Sequence, residues 1–116
     1  MTPGEVYWVE LPLANGHEQA GRRPAVVMQD DAAAAHSPMV FVVPLTTAAA
    51  ATRYPGVVPV PATQENGLRA DSFALVFQFR AVDRRRLRDR IGTVAADQVA
   101  ALFAALDGLT GRRRES

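Results

Sequence analysis

The octapeptide Met39-Val40-Phe41-Val42-Val43-Pro44-Leu45-Thr46 limits what this chain can fold into more than any other stretch. It is apolar and β-branched without alternation, so it reads as a strand covered on both faces, and some layer of the molecule must lie on each side of it. Pro44 cannot donate to a ladder and predicts an edge or a bulge near the strand's end. Thr46 and Thr47 emerge just past the apolar run.

The flanking segments supply partners. Gly4-Glu5-Val6-Tyr7-Trp8-Val9-Glu10-Leu11 predicts a strand with Val6, Trp8 and Leu11 towards the core, ended by Pro12. A loop over 12–22 leads into a strand over 23–30. The connection 30–38 carries the turn signals Asp30-Asp31 and Ser37-Pro38. Residues 47–56 form a longer connection, in which Ala48 to Ala51 permits a helical turn and Tyr54-Pro55-Gly56 closes the segment. Val57-Val58-Pro59-Val60 reads as an edge strand, and Asn66-Gly67 as a hairpin signal. A strand over 71–80 would put Phe73, Leu75 and Phe77 on one face, with Ala74, Val76 and Gln78 on the other. Asp83 is a candidate N-cap for a short helix over 84–90 that ends at Gly92. Val99, Leu102, Phe103, Leu106 and Leu109 form the stripe of an amphipathic helix bracketed by Gly108 and Gly111, before a frayed tail. Short strands followed by helices predict an α+β fold: a small, strongly bent antiparallel sheet or SH3-like barrel with the C-terminal helix packed against it.

With 116 residues the chain is enough for one domain, 1–116, that buries roughly two thirds of its unfolded surface. There is no cysteine, which excludes disulfides and thiolate metal sites. No apolar run approaches the ~20 residues that span a bilayer, and the first residues lack the pattern of a signal peptide; a soluble cytoplasmic protein is expected, with no membrane partner. The net charge of +1 is unevenly spread. Residues 1–79 hold four arginines and seven acids, giving −3, whereas 80–116 hold nine arginines and five acids, giving +4. Every basic residue is arginine, which suits phosphate recognition and equally fits a coding bias towards GC-rich codons.

Gly16-His17-Glu18-Gln19-Ala20-Gly21-Arg22-Arg23-Pro24 is a polar, glycine-bounded loop running into a strand. Pro24 pushes Arg23 into an extended conformation at the junction. A guanidinium fixed there either grips a phosphate through two parallel hydrogen bonds or pairs with Glu18 to pin the loop. His17 and His36 have no third ligand at metal spacing, and no glycine-rich phosphate loop is present, so neither a metal nor a cofactor is expected. One reaction suits Arg23 and a hydroxyl without them. RNA carries its own nucleophile, the 2′-OH, and needs alignment, proton transfer and stabilisation of the pentavalent phosphorus. Thr46 can donate to a phosphate oxygen or cap its own backbone, and Tyr54 can stack on a base or cover the sheet.

Glu18-Gln19-Ala20-Gly21, Arg23-Pro24-Ala25-Val26-Val27, Pro44-Leu45-Thr46-Thr47, Tyr54-Pro55, Asp71-Ser72 and Gln78 before Arg80 resemble, in order and spacing, the MazF/PemK endoribonuclease toxins of type II toxin–antitoxin systems. The resemblance runs from Gly4 to the final helix and implies the CcdB/PemK-like fold. It assigns catalysis to Arg23, Thr46 and Glu18. It places Gln19, Ser72 and Gln78 on the RNA, and His17, Arg22, Tyr54 and Arg80 are added as RNA-binding candidates. It further implies metal-independent cleavage of single-stranded RNA at short sequences, leaving a 2′,3′-cyclic phosphate and a 5′-OH. The implied partners are a second copy in a homodimer, with RNA across the interface, and a cognate antitoxin that lays an extended segment over the groove.

His17 stands where the family often has serine, Ala48 where some members have a polar residue and Phe77 where some have an acid, so the cleavage sequence does not carry over. The general base is open between Glu18, His17 and Thr46. Two other functions compete. A CcdB-type toxin binds gyrase through an apolar C-terminus, which Arg112-Arg113-Arg114-Glu115-Ser116 does not resemble. A small basic nucleic-acid-binding barrel would bind RNA without cutting it.

Overall fold

The structure is a computed structural model and describes residues 1–11 and 21–112. Seven strands are present among them: β1 (Glu5–Leu11), β2 (Gly21–Val27), β3 (Met39–Thr46), β4 (Val57–Val60), β5 (Ser72–Leu75), β6 (Arg80–Asp83) and β7 (Leu87–Thr93). They form an antiparallel sheet in the order β4-β5-β3-β2-β1-β7, with β6 also pairing to β3. A single-turn helix, α1 (Asp31–Ala34), is capped by Asp30, whose carboxylate accepts the Ala32 N–H at 2.9 Å. The terminal helix α2 (Ala96–Thr110) ends at Gly111, whose φ of 78° supplies the left-handed turn. The expected antiparallel sheet with a C-terminal helix is what forms. No helix among the described residues is long and apolar enough to cross a membrane.

The octapeptide is the middle of the molecule. Val43 and Leu45 lie on one face of β3, in a core with Val6, Val26, Val60, Ala74, Val76 and Leu102 of α2. Val40 and Val42 lie on the other, with Val9, Leu11, Ala25, Val27 and Val82. Burying each such side chain fully contributes roughly 1.5–3 kcal/mol, so loss of either face would be a large fraction of the fold's stability. Met39 and Phe41 are exposed, and Phe41 stacks on Phe79 at 5.2 Å.

Several expectations are corrected. Trp8 shares the face of Val6 but is half-buried, and Leu11 packs in the second core. β2 leaves its ladder at Val27; Gln29 then takes over pairing with its side chain, donating to Met39 O and accepting from Phe41 N–H. Pro44 is buried on a central strand, not on an edge. It falls where β3 changes partner, from β6 at Met39–Val42 to β5 at Leu45–Thr46, so its missing N–H meets the gap. The predicted strand 71–80 is two strands. Arg80 lies six positions after Ala74 while Leu45 lies three after Val42, and a 3₁₀ turn at Val76–Gln78 absorbs the excess. Asp83 does cap a turn, accepting from Arg85 N–H, but that turn is only Arg84–Arg86 and the chain continues as β7 against β1. The Ala49–Arg53 stretch is a 3₁₀ turn. Asn66-Gly67 is not a tight hairpin turn; it sits inside the longer connection between β4 and β5. In α2 the stripe is narrower than predicted, since Leu102 is buried while Phe103 and Leu109 are exposed. β4 is an edge strand, as Pro59 suggested.

Candidate active site

The start of β2, the end of β3, the start of β5, β7 and the turn 67–70 converge on a cleft of about 390 Å³. Arg23 stands opposite Val9 in the β1–β2 ladder and is one of the residues that line this cleft. Its Nε is buried and has no hydrogen-bond partner among the described residues. A donor removed from water in this way costs roughly 1–3 kcal/mol until a ligand accepts from it.

Thr46, 7 % exposed, closes β3 on the cleft wall. Its Oγ1 accepts the Ala48 N–H at 3.2 Å. The hydroxyl therefore caps its own backbone, and no acceptor takes its proton among the described residues. Ser72 opens β5, is buried, and donates its Oγ proton to Ala70 O at 3.0 Å, which shapes the turn beside it.

The cleft's charged lining is Arg22, Arg23, Arg69 and Arg90 against Asp89. The Arg22 guanidinium lies 5.1 Å from the centre of the Trp8 ring and 3.8 Å from Asp89. Arg90 is tied to Glu5 at 3.3 Å and to Thr93 Oγ1 at 2.6 Å. Partial burial pushes the Glu5 carboxyl up, but hydrogen bonds from Thr2 N–H and Tyr7 O–H outweigh it and hold the group below its ordinary value. Glu5 thus stays ionised and anchors Arg90. The surplus of guanidinium makes the cleft attractive to an anion.

The turn at 67–70 is held from behind by Asn66, only 3 % exposed. Its Oδ1 accepts from Thr63 N–H and Leu68 N–H, both at 3.0 Å, and its Nδ2 donates to Pro61 O at 2.8 Å. Gly92 on β7 lies against the Glu65 and Asn66 backbone so closely that a Cβ would collide with both. That approach lets Thr93 N–H reach Glu65 O at 2.8 Å.

The structure therefore brings together Arg22, Arg23, Thr46 and Ser72. Tyr54, Gln78 and Arg80 do not line the cleft. Tyr54 packs on Phe77 with ring centres 5.0 Å apart, Gln78 is buried at the end of the 76–78 turn, and Arg80 pairs with Val42 in β6. Glu18, His17 and Gln19 lie outside the described residues. No group of three or more carboxylates or imidazoles able to hold a metal occurs among the described residues. The sequence reading missed Trp8, Arg69, Asp89 and Arg90 as site residues. The positive surplus after residue 80 was the signal for Arg90; Trp8 was assigned to the core because its strand was read without its neighbours.

A family model described as PemK-like, MazF-like toxin of type II toxin–antitoxin system matches residues 2–109. The endoribonuclease MazF of Staphylococcus epidermidis is 31% identical over 104 residues, covering 90% of this chain and 86% of that protein. Endoribonuclease EndoA of Bacillus subtilis is 35% identical over 88 residues, covering 76% and 75%. MazF from Deinococcus radiodurans superposes with a TM-score of 0.80 at 29% identity, over 96% of each chain. A MazE–MazF structure from the same organism gives 0.73 at 27% identity, over 97% of each chain.

Proposed function

Because this chain belongs to the PemK-like, MazF-like toxins of type II toxin–antitoxin systems, and its named relatives are endoribonucleases, we propose that the cleft is the catalytic centre of a sequence-specific ribonuclease acting on single-stranded RNA. The RNA's 2′-oxygen attacks the adjacent phosphorus as its proton passes to a base. The P–O5′ bond then breaks and the 5′-oxygen leaves with a proton. The products are a 2′,3′-cyclic phosphate and a 5′-OH, and no metal takes part.

Arg23 is a permanent cation, so it serves the developing charge on the phosphorane rather than acting as base. The observation that carries this is that Arg23 and Thr46 line one cleft, the Arg23 Nε being buried and without a hydrogen-bond partner among the described residues. Thr46 supplies its unspent hydroxyl proton to a non-bridging oxygen. A preorganised donor of this kind is worth roughly 2.7–4 kcal/mol of barrier. Glu18 or His17 on the preceding loop, or Thr46, takes the 2′-OH proton. Arg22, Gln19 and Ser72 contact the flanking nucleotides. The protein works as a homodimer with RNA crossing both protomers. A cognate antitoxin neutralises it by covering the cleft; the D. radiodurans relative is itself found paired as MazE–MazF.

The test is incubation of the purified protein with a long single-stranded RNA in EDTA, followed by mapping of the ends. Discrete cuts with cyclic-phosphate ends, abolished in Arg23→Ala while RNA binding survives, are expected. Intact RNA over a broad range of sequences would overturn the reading.

A further inference from the structure

We propose that Trp8 is the base-stacking platform of this cleft and that Arg22 is its removable cover. The inference rests on the cleft being an RNA site. Trp8 stands opposite Pro24 in the β1–β2 ladder, and both line the cleft beside Leu45, so the indole is held among apolar, conformationally stiff neighbours. It is the one aromatic side chain among the described residues that lines the cleft. Tyr54, the other candidate for stacking, is engaged with Phe77 elsewhere.

The Trp8 ring is covered in the free protein by a group easy to displace. Arg22 lies over it at 5.1 Å, and its charged partner Asp89 is 3.8 Å away. The two side chains are 56% and 86% exposed, and at such sites both a cation–π contact and an ion pair are weak. An unpaired base is also flat, and it stacks on an aromatic ring regardless of sequence. A base therefore takes the place of the guanidinium. Arg22, released beside Arg23, turns to the phosphate next to the one being cut and binds it with two parallel hydrogen bonds.

Trp8 is the single tryptophan of the chain, so its emission reports this site alone. The probe is the RNA oligonucleotide cut in the assay above, with 2′-deoxyribose at the cut nucleotide to remove the nucleophile. Wild-type protein should show a saturable change in emission. Removing one particular base to leave an abasic nucleotide should abolish that change and weaken binding by about 5- to 150-fold. In Trp8→Leu the abasic and intact oligonucleotides should bind equally. Arg22→Ala should keep the spectral change but bind more weakly, with a shallower dependence on salt. If RNA is cut and bound with Trp8 emission unchanged, or if the abasic penalty persists undiminished in Trp8→Leu, the platform is refuted while the nuclease stands. If RNA is neither cut nor bound, both readings fail together. Should Trp8→Leu not fold, the wild-type emission with intact and abasic RNA still decides.

Discussion

Replacing Asn66 with alanine removes three hydrogen bonds from one buried side chain: two accepted by Oδ1 and one donated by Nδ2. Each such bond contributes about 1 kcal/mol net, so Asn66→Ala should lose about 3 kcal/mol. For 116 residues at the usual unfolding entropy of about 2.1 cal/mol/K per residue, the melting entropy is about 0.24 kcal/mol/K and the predicted drop in Tm is about 12 °C. Urea unfolding of both proteins at one protomer concentration measures the loss directly, and the slope should stay constant because no additional surface is exposed. The same side chain braces the turn that carries Leu68, Arg69 and Ala70 into the cleft. KM for RNA should therefore rise in the variant even at temperatures where it is fully folded. A loss below about 1 kcal/mol would mean that water satisfies those backbone groups as well as Asn66 does, and the bracing argument would be wrong.

Gly92→Ala should be destabilised by about 1–3 kcal/mol or more, because the new methyl meets backbone rather than a yielding side chain; a thermal melt within error of wild type would refute the close approach. Acid should weaken the fold through Asp83, whose bonds from the Arg85 side chain and backbone N–H hold its carboxyl near 2 against 3.8. A depressed carboxyl contributes stability above its unfolded value that is lost as pH falls through the folded one. The gap in Tm between wild type and Asp83→Asn should accordingly be present at neutral pH and close between about pH 4 and pH 2. RNA cleavage should run unchanged in excess EDTA, and restoration of lost activity by added magnesium after dialysis would contradict the metal-free mechanism.

The extended elements of the first half were legible because each is a short apolar run bounded by proline or glycine, and β3 lies on the residues predicted for it. Failures cluster where a distant partner decides. Nothing local breaks Asp71–Arg80; the turn at Val76–Gln78 exists because β3 offers two partners out of step by three residues. Leu87–Thr93 is rich in arginine, which is at home in a helix, and only β1 recruits it as a strand. The site divides in the same way. Arg23, Thr46 and Ser72 were readable from their motifs and do converge on the cleft. Arg69 and Arg90 were not, since their place in the cleft comes from a loop and from a strand that docks on β1. Trp8 went unread because alternation along β1 gives its face and not its depth.

The cleft has a timetable. Its arginine and threonine are contributed by β2 and β3, but its opposite wall comes from residues 67–72 and 89–91, far along the chain. A ribosome making this protein therefore releases Arg23 and Thr46 well before the segment that encloses them. Until β7 has docked on β1, the growing chain has a guanidinium and a hydroxyl open to solvent on one side. The walls of the cleft therefore meet only once residues 89–91 have been made and β7 has docked on β1.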